Sequence, residues 1–296
     1  MNDLLSSSLF SSYSKTLSDI SEKILTAESI QIVATADLEG VLALAQIEAG
    51  LLDAVKSYKR RVLPPKKNIS RTEAIDFSAY NGLIIHIDPF HEPLSKIDTE
   101  KHIHLTPLHA TVNFTNSERE HHGALDCVVI CAVIAQQLSR DGLRVRRLRG
   151  MAISGSWLRR NLDANYDPIM SVLRDHLDEE GSIEIRPLPE VPDPIVSMIP
   201  GLSKGMLSRL SKSWNSMDID ERSSAISELI LPTLRHDSLS TMRLEELVWH
   251  RVMLPGYVID LASQLHLSQE SWPEESDKAR LHASVVTDEL ITSGHL

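Results

Sequence analysis

Cysteine is nearly missing: two in 296 residues, Cys127 and Cys131, four apart inside the apolar run from Cys127 to Ala135. That excludes a disulfide framework, and on a helix it places both thiols on one buried face, as expected in a reducing compartment. Aromatic residues make up 4% of the chain, too few for the platforms on which many single-strand binders stack bases. Positive charge is scarce, with Lys+Arg 30 against Asp+Glu 41 and a net charge of −11. The molecule as a whole therefore repels a polyanion, so it is no general DNA-coating protein, and any nucleic-acid contact has to come from a local basic patch. No apolar run approaches the roughly 20 residues that span a bilayer. The opening MNDLLSSSLF has no basic start before an apolar stretch, so a cytoplasmic protein without membrane contact is expected. Gly-x-Gly-x-x-Gly, Gly-Lys-Ser/Thr and Gly-x-Ser-x-Gly are all absent. Their absence removes glycine-rich phosphate loops and the nucleophile elbow.

What is present has an order. Residues 1–28 read as a Ser-rich lead-in and an amphipathic helix, with Leu17, Ile20, Ile24 and Leu25 at helical spacing. SIQIVATAD (29–37) is β-branched and ends in a turn-like Asp-Leu-Glu-Gly, and the apolar spacing after it predicts a helix over 41–56. Further strands are expected at 59–63, 82–88 and 102–105, a long helix at 122–138, and an apolar segment at 143–158. Strands alternating with helices predict an α/β domain over 29–162, its mostly parallel sheet flanked by helices. After Arg160 the composition shifts to helical patterns punctuated by Pro187, Pro189, Pro192, Pro194 and Pro200, so 163–296 reads as a mainly helical C-terminal region.

Sites in parallel sheets form at the carboxyl ends of strands. There the chain offers Asp37 and Glu39 after the first strand and Asp88 after GLIIHI. Three such carboxylates make an oxygen-rich cradle for manganese or magnesium, which would activate water against a phosphodiester. Each also serves equally well as a turn residue or helix cap. Seven histidines lie between His86 and His122, but His-Glu-x-x-His and Cys-x-x-Cys are absent, and His102 and His104 alternate on a strand with nothing nearby in sequence to complete a tetrahedral set. A zinc site is not expected, and His121-His122 falls at a helix start. Two basic clusters stand out: Lys56, Lys59, Arg60, Arg61, Lys66 and Lys67 around the second strand, and Arg140, Arg144, Arg146, Arg147 and Arg149 before MAISG. Lys59, Arg60, Arg61, Arg144, Arg146 and Arg147 are the candidate nucleic-acid contacts; solvated edge charges are the alternative. Leu244, Leu247, Val248, Trp249, Val252, Met253 and Leu254 form an almost unbroken apolar row, readable as a partner surface or as core.

The order of these features resembles the DHH phosphoesterase superfamily, in its archaeal RecJ-like branch. ESIQIVATADLEGVLALAQIEAGLL is similar to the first motif, YKRRVLPP to the second strand, and GLIIHID to the strand bearing the next metal-binding Asp. VNFTNSEREHHGALDCVVICAVIAQQL resembles the following loop and helix, LRGMAISGSWLRR the end of the catalytic motifs, and VPDPIVSMIPGLSKGMLSRL the proline-rich stretch after it, so the likeness covers about 29–210. It implies metal ligands at Asp37, Glu39 and Asp88, yet Thr106-Pro107-Leu108-His109 stands where Asp-His-His belongs, leaving at best His109. The last metal-binding Asp falls at about Arg159, where a guanidinium opposes divalent cations. No Gly-Gly dipeptide marks the C-terminal domain of active members. The resemblance therefore implies a scaffold without catalytic residues or cofactor in an archaeal replication assembly, with GINS and MCM subunits as partners and single-stranded DNA as a further contact. The alternative is a manganese-dependent exonuclease or phosphodiesterase using Asp37, Glu39, Asp88 and His109, and a third reading is a small-molecule binding domain in the same cleft.

Overall fold

The computed structural model describes residues 3–66, 75–113, 120–159, 166–236 and 238–296. The chain is an α/β protein built on four parallel strands, β1 (Ile30–Thr35), β2 (Tyr58–Leu63), β3 (Leu83–Ile87) and β4 (Ile103–Leu105), in the order β2-β1-β3-β4. Flanking helices complete the layer, with α1 (Ser14–Thr26) and α2 (Leu38–Asp53) the first two. Register explains the composition of each strand, because residues paired across a parallel sheet point to the same side. Ile30, Ile32 and Ala34 align with Leu83, Ile85 and Ile87, and Ile85 and Ile87 align in turn with Ile103 and Leu105; all belong to the main hydrophobic core except Leu83, which packs against it. The opposite face carries Val33, His86 and His104.

β5 (Leu108–Asn113) and β6 (Glu120–Leu125) form an antiparallel ribbon beyond β4. The helix expected at 122–138 therefore starts later, at α3 (Cys127–Leu138), and His121 and His122 are strand residues paired with Val112 and Thr111. The cause is local: Asp126 is the N-cap, its Oδ1 accepting from the Val129 N–H at 3.0 Å, and alternating burial runs up to it. α2 likewise starts and ends earlier than its apolar spacing suggests. It is buried along nearly its whole length, and a Cβ at Gly50 would come within 2.7 Å of the Ala135 Cα, so α2 and α3 touch backbone to backbone. Both cysteines are free and buried on α3.

α4 (Leu143–Leu148) and α5 (Ser154–Leu158) lead to α6 (Pro168–Glu179), and then β7 (Glu184–Arg186) pairs antiparallel with β8 (Arg251–Met253). Between them lie α7 (Lys204–Ser213), α8 (Ile219–Ile230) and α9 (Thr241–Trp249), and α10 (Leu261–Ser271) and α11 (Ser276–Ser293) end the chain. The boundary near 162 falls in a stretch outside the described residues, but the cores divide elsewhere. Ile169, Leu173, Leu177, Leu265, Ala283 and Leu290 join the sheet's core, whereas Leu188, Leu207, Trp214, Ile226 and Leu247 form a second one. The apolar row at 244–254 is interior rather than a docking surface: Leu244, Leu247, Val248, Val252, Met253 and Leu254 are buried, and Trp249 packs on Trp214 with centroids 6.2 Å apart. No described helix is long and apolar enough to cross a membrane.

Candidate functional site

Three of the four residual candidates gather at the carboxyl edge of the sheet. Asp37 occupies the N-cap position of α2, Glu39 sits in that helix's first turn, and Asp88 directly follows β3. Lys66, just beyond β2, ties two of them together: its N–H donates to Asp37 Oδ2 at 2.8 Å, and its ammonium lies 3.5 Å from Asp88 Oδ1. Burial by itself would raise the Asp88 carboxyl, but the neighbouring His104 ring and Lys66 ammonium outweigh it and hold the group at about 2.

Glu39 is in the opposite condition. Burial first, then the field of Asp126 and Asp37, push its carboxyl up to about 8 against the pull of Arg159, so it is mostly protonated at neutral pH. Asp126, fully buried, is also raised by burial, while the Ser156 hydroxyl donates to its Oδ2 at 2.7 Å and the Val129 N–H to its Oδ1. Arg159, directly after α5, acts electrostatically on Glu39, Asp126 and Asp167 together. Arg159 Nη1 and Glu39 Oε1 are buried atoms that make no hydrogen bond. A protein cation thus serves an interior group of carboxylates. His109 does not join them; it is exposed on β5, opposite Ala124 of β6, while Thr106 is buried.

The histidines give the clearest departure from the sequence reading. His102, just before β4, and His104 on it lie two apart, and His86 is the residue opposite His104 on β3. The His86 and His104 rings stack 4.6 Å apart at 4°, and the possible ligand atoms of His86, His102 and His104 all lie within 4.8 Å of one another. Burial and the adjacent His104 ring drive the His86 imidazole down to about 3, and the same two causes lower His102. Phe77 covers the group, with centroids 5.4 Å from His86 and 4.6 Å from His102. Zinc-type spacing within one strand did not reveal this trio, because its third member comes from a neighbouring strand. Parallel register between GLIIHID and HIHL was the usable clue.

The basic candidates separate into bound and free groups. Arg60 is committed to the fold: Nε donates to Glu48 Oε1 at 2.7 Å, Nη2 contacts Glu48 and Asp288, and Nη1 donates to the Ser284 carbonyl. Arg144 pairs with Asp53, and Arg147 donates to the Ile291 and Thr292 carbonyls at the end of α11. Arg149 is buried against Glu180. Lys59, Arg61 and Arg146 stay exposed, with Arg61 over the Tyr80 ring at 5.9 Å. Arg146 and Arg147 line a cavity of about 380 Å³ with Glu180, Tyr257 and Gly294. Lys67 lies outside the described residues.

No family model matches this sequence, and no curated protein matches it. The site's meaning therefore rests on its own geometry.

Proposed function

We propose that this chain is a catalytically inactive, DHH-like scaffold subunit of an archaeal DNA replication assembly, with GINS and MCM subunits as partners and single-stranded DNA as a contact of its exposed basic residues. The observation that carries the reading is Arg159 acting on Glu39 and Asp126. In a two-metal hydrolase, cations bridge such carboxylates and align water with a phosphodiester. Here a guanidinium takes up that field, Glu39 holds a proton, and Lys66 stands against Asp88. Around Glu39 and Asp126, charge that would bind metal is already neutralised from within.

One arrangement favours the alternative, a manganese- or magnesium-dependent exonuclease or phosphodiesterase: Asp37, Glu39 and Asp88 do converge at the ends of adjacent strands. The deciding experiment has two arms. Incubation with manganese and labelled single-stranded DNA or dinucleotides is expected to give no cleavage, and affinity capture from the native host is expected to retain GINS or MCM subunits. Robust cleavage abolished by Asp37→Ala and Asp88→Ala would establish the enzyme instead. Elution without either partner at micromolar concentration would remove the scaffold reading's main support.

A further inference from the structure

We propose that His86, His102 and His104 form a binding site for a divalent transition metal of the zinc class, with Asp88 giving a carboxylate oxygen as fourth ligand. The site lies on the sheet face opposite the main core and is separate from the carboxylates that Arg159 neutralises. It shares Asp88, with the Lys66 ammonium beside it, with the candidate site of the proposed function, and the two are told apart by readout: stoichiometric zinc uptake without cleavage of DNA leaves both standing, and cleavage without zinc uptake removes both.

Geometry comes first. Around a tetrahedral zinc with bonds of about 2.0–2.1 Å, ligand nitrogens sit roughly 3.4 Å apart. The three imidazoles already bring their possible ligand atoms within 4.8 Å of one another. Two of their backbones are fixed by strand pairing, since His86 and His104 are register partners on β3 and β4. Side-chain rotation alone closes the remaining gap, and it must tilt the stacked His86 and His104 rings apart so that both lone pairs meet at one point.

The fourth position follows from what is unsatisfied. His104 Nε2 is buried with no hydrogen bond, 3.8 Å from Asp88 Oδ2. A buried imidazole nitrogen of this kind calls for a functional reason, and a cation between His104 Nε2 and Asp88 Oδ2 supplies one. Oδ1 faces the Lys66 ammonium at 3.5 Å, leaving Oδ2 for the metal.

Ligand chemistry selects the ion. Three imidazoles and one carboxylate suit zinc, copper, iron or nickel, whereas magnesium and calcium require oxygen ligands. The charges facing the group oppose one another: Lys66 and Lys101 repel a cation, and Asp88 and Asp98 attract it. Access is open, because His102 and His104 are only partly buried.

The test titrates the chelator-treated full chain with cobalt(II), then with zinc against a chromophoric chelator. One equivalent is expected, with the intense visible bands of four-coordinate cobalt lost on adding zinc. His102→Ala, at the partly exposed end of the strand, should weaken zinc binding by about tenfold or more, as should His104→Ala. His109→Ala, on the exposed ribbon, should leave it unchanged. Lys66→Met, which removes the opposing ammonium, should tighten it. The proposal is overturned if the wild type takes up no stoichiometric zinc, or if a folded His102→Ala variant binds as the wild type does. Circular dichroism and the melting temperature establish that each variant is folded, and His102→Gln replaces His102→Ala if the latter is not.

Discussion

Arg60 on β2 reaches across to the fully buried carboxylate of Glu48 on α2, donating from both Nε and Nη2. A residue that reads in sequence as part of a basic patch is thereby a clasp between sheet and helix, extended to Asp288 and the Ser284 carbonyl of α11.

Replacing it tests that role. Arg60→Met should leave Glu48, whose other partner is the Tyr58 hydroxyl at 2.9 Å, as an uncompensated buried charge. Losing one member of such a pair costs about 3–5 kcal/mol. Urea unfolding is the measurement, and a loss below about 1 kcal/mol would return Arg60 to the surface group.

Glu39 sets a pH dependence whose direction is determined. The unfolded carboxyl loses its proton near its ordinary value of 4.5, while the folded one keeps it up to about 8. Between those values the folded state holds the extra proton, so this group's contribution to stability falls as pH rises through the window and is level above it. Glu39→Gln should therefore raise the melting temperature relative to wild type at pH 8 and leave it nearly unchanged at pH 4. A stabilisation of up to about 4 kcal/mol is expected at pH 8, each pKa unit being about 1.4 kcal/mol. Equal melting temperatures at both pH values would contradict the burial of an unpaired carboxyl.

Arg251 and Asp260 make a fully buried ion pair at 2.9 Å, with Arg251 Nε also donating to the Leu247 carbonyl at 2.6 Å. Arg251→Ala should cost about 3–5 kcal/mol in chemical denaturation. Because Arg251 opens β8 and Asp260 caps α10, the loss should show in hydrogen exchange as reduced protection in β7, β8 and α10. An unchanged exchange map would mean the pair is not what joins these elements.

Nucleic-acid contact, if it follows charge, should depend on the cations left exposed. The double variant Lys59→Glu with Arg61→Glu should weaken single-stranded DNA binding at low salt and flatten its dependence on salt concentration. Fluorescence anisotropy at two ionic strengths is sufficient. If affinity and salt slope stay as in wild type, these residues are solvated edge charges.

Local pattern by itself marked the strands of the sheet, because β-branched runs bounded by turns read as strands, and α2 between β1 and β2 makes that one connection parallel. It also located Asp37, Glu39 and Asp88, since an acidic residue directly after a strand can only lie at the sheet's carboxyl edge. The helix expected at 122–138 failed over 122–125, where pairing with residues 108–113 makes a strand up to the helix cap Asp126. Likewise, the row from Leu244 to Leu254 became interior because its first part packs in the second core and Val252 and Leu254 in the sheet's own. Only the tertiary structure could place Arg159 beside Glu39, 120 positions away in sequence, or stack His86 on His104. Spacing along a chain encodes which side of one strand or helix a residue faces. The distance between two elements is set by packing, and it is those distances that turn separate carboxylates, guanidiniums and imidazoles into sites.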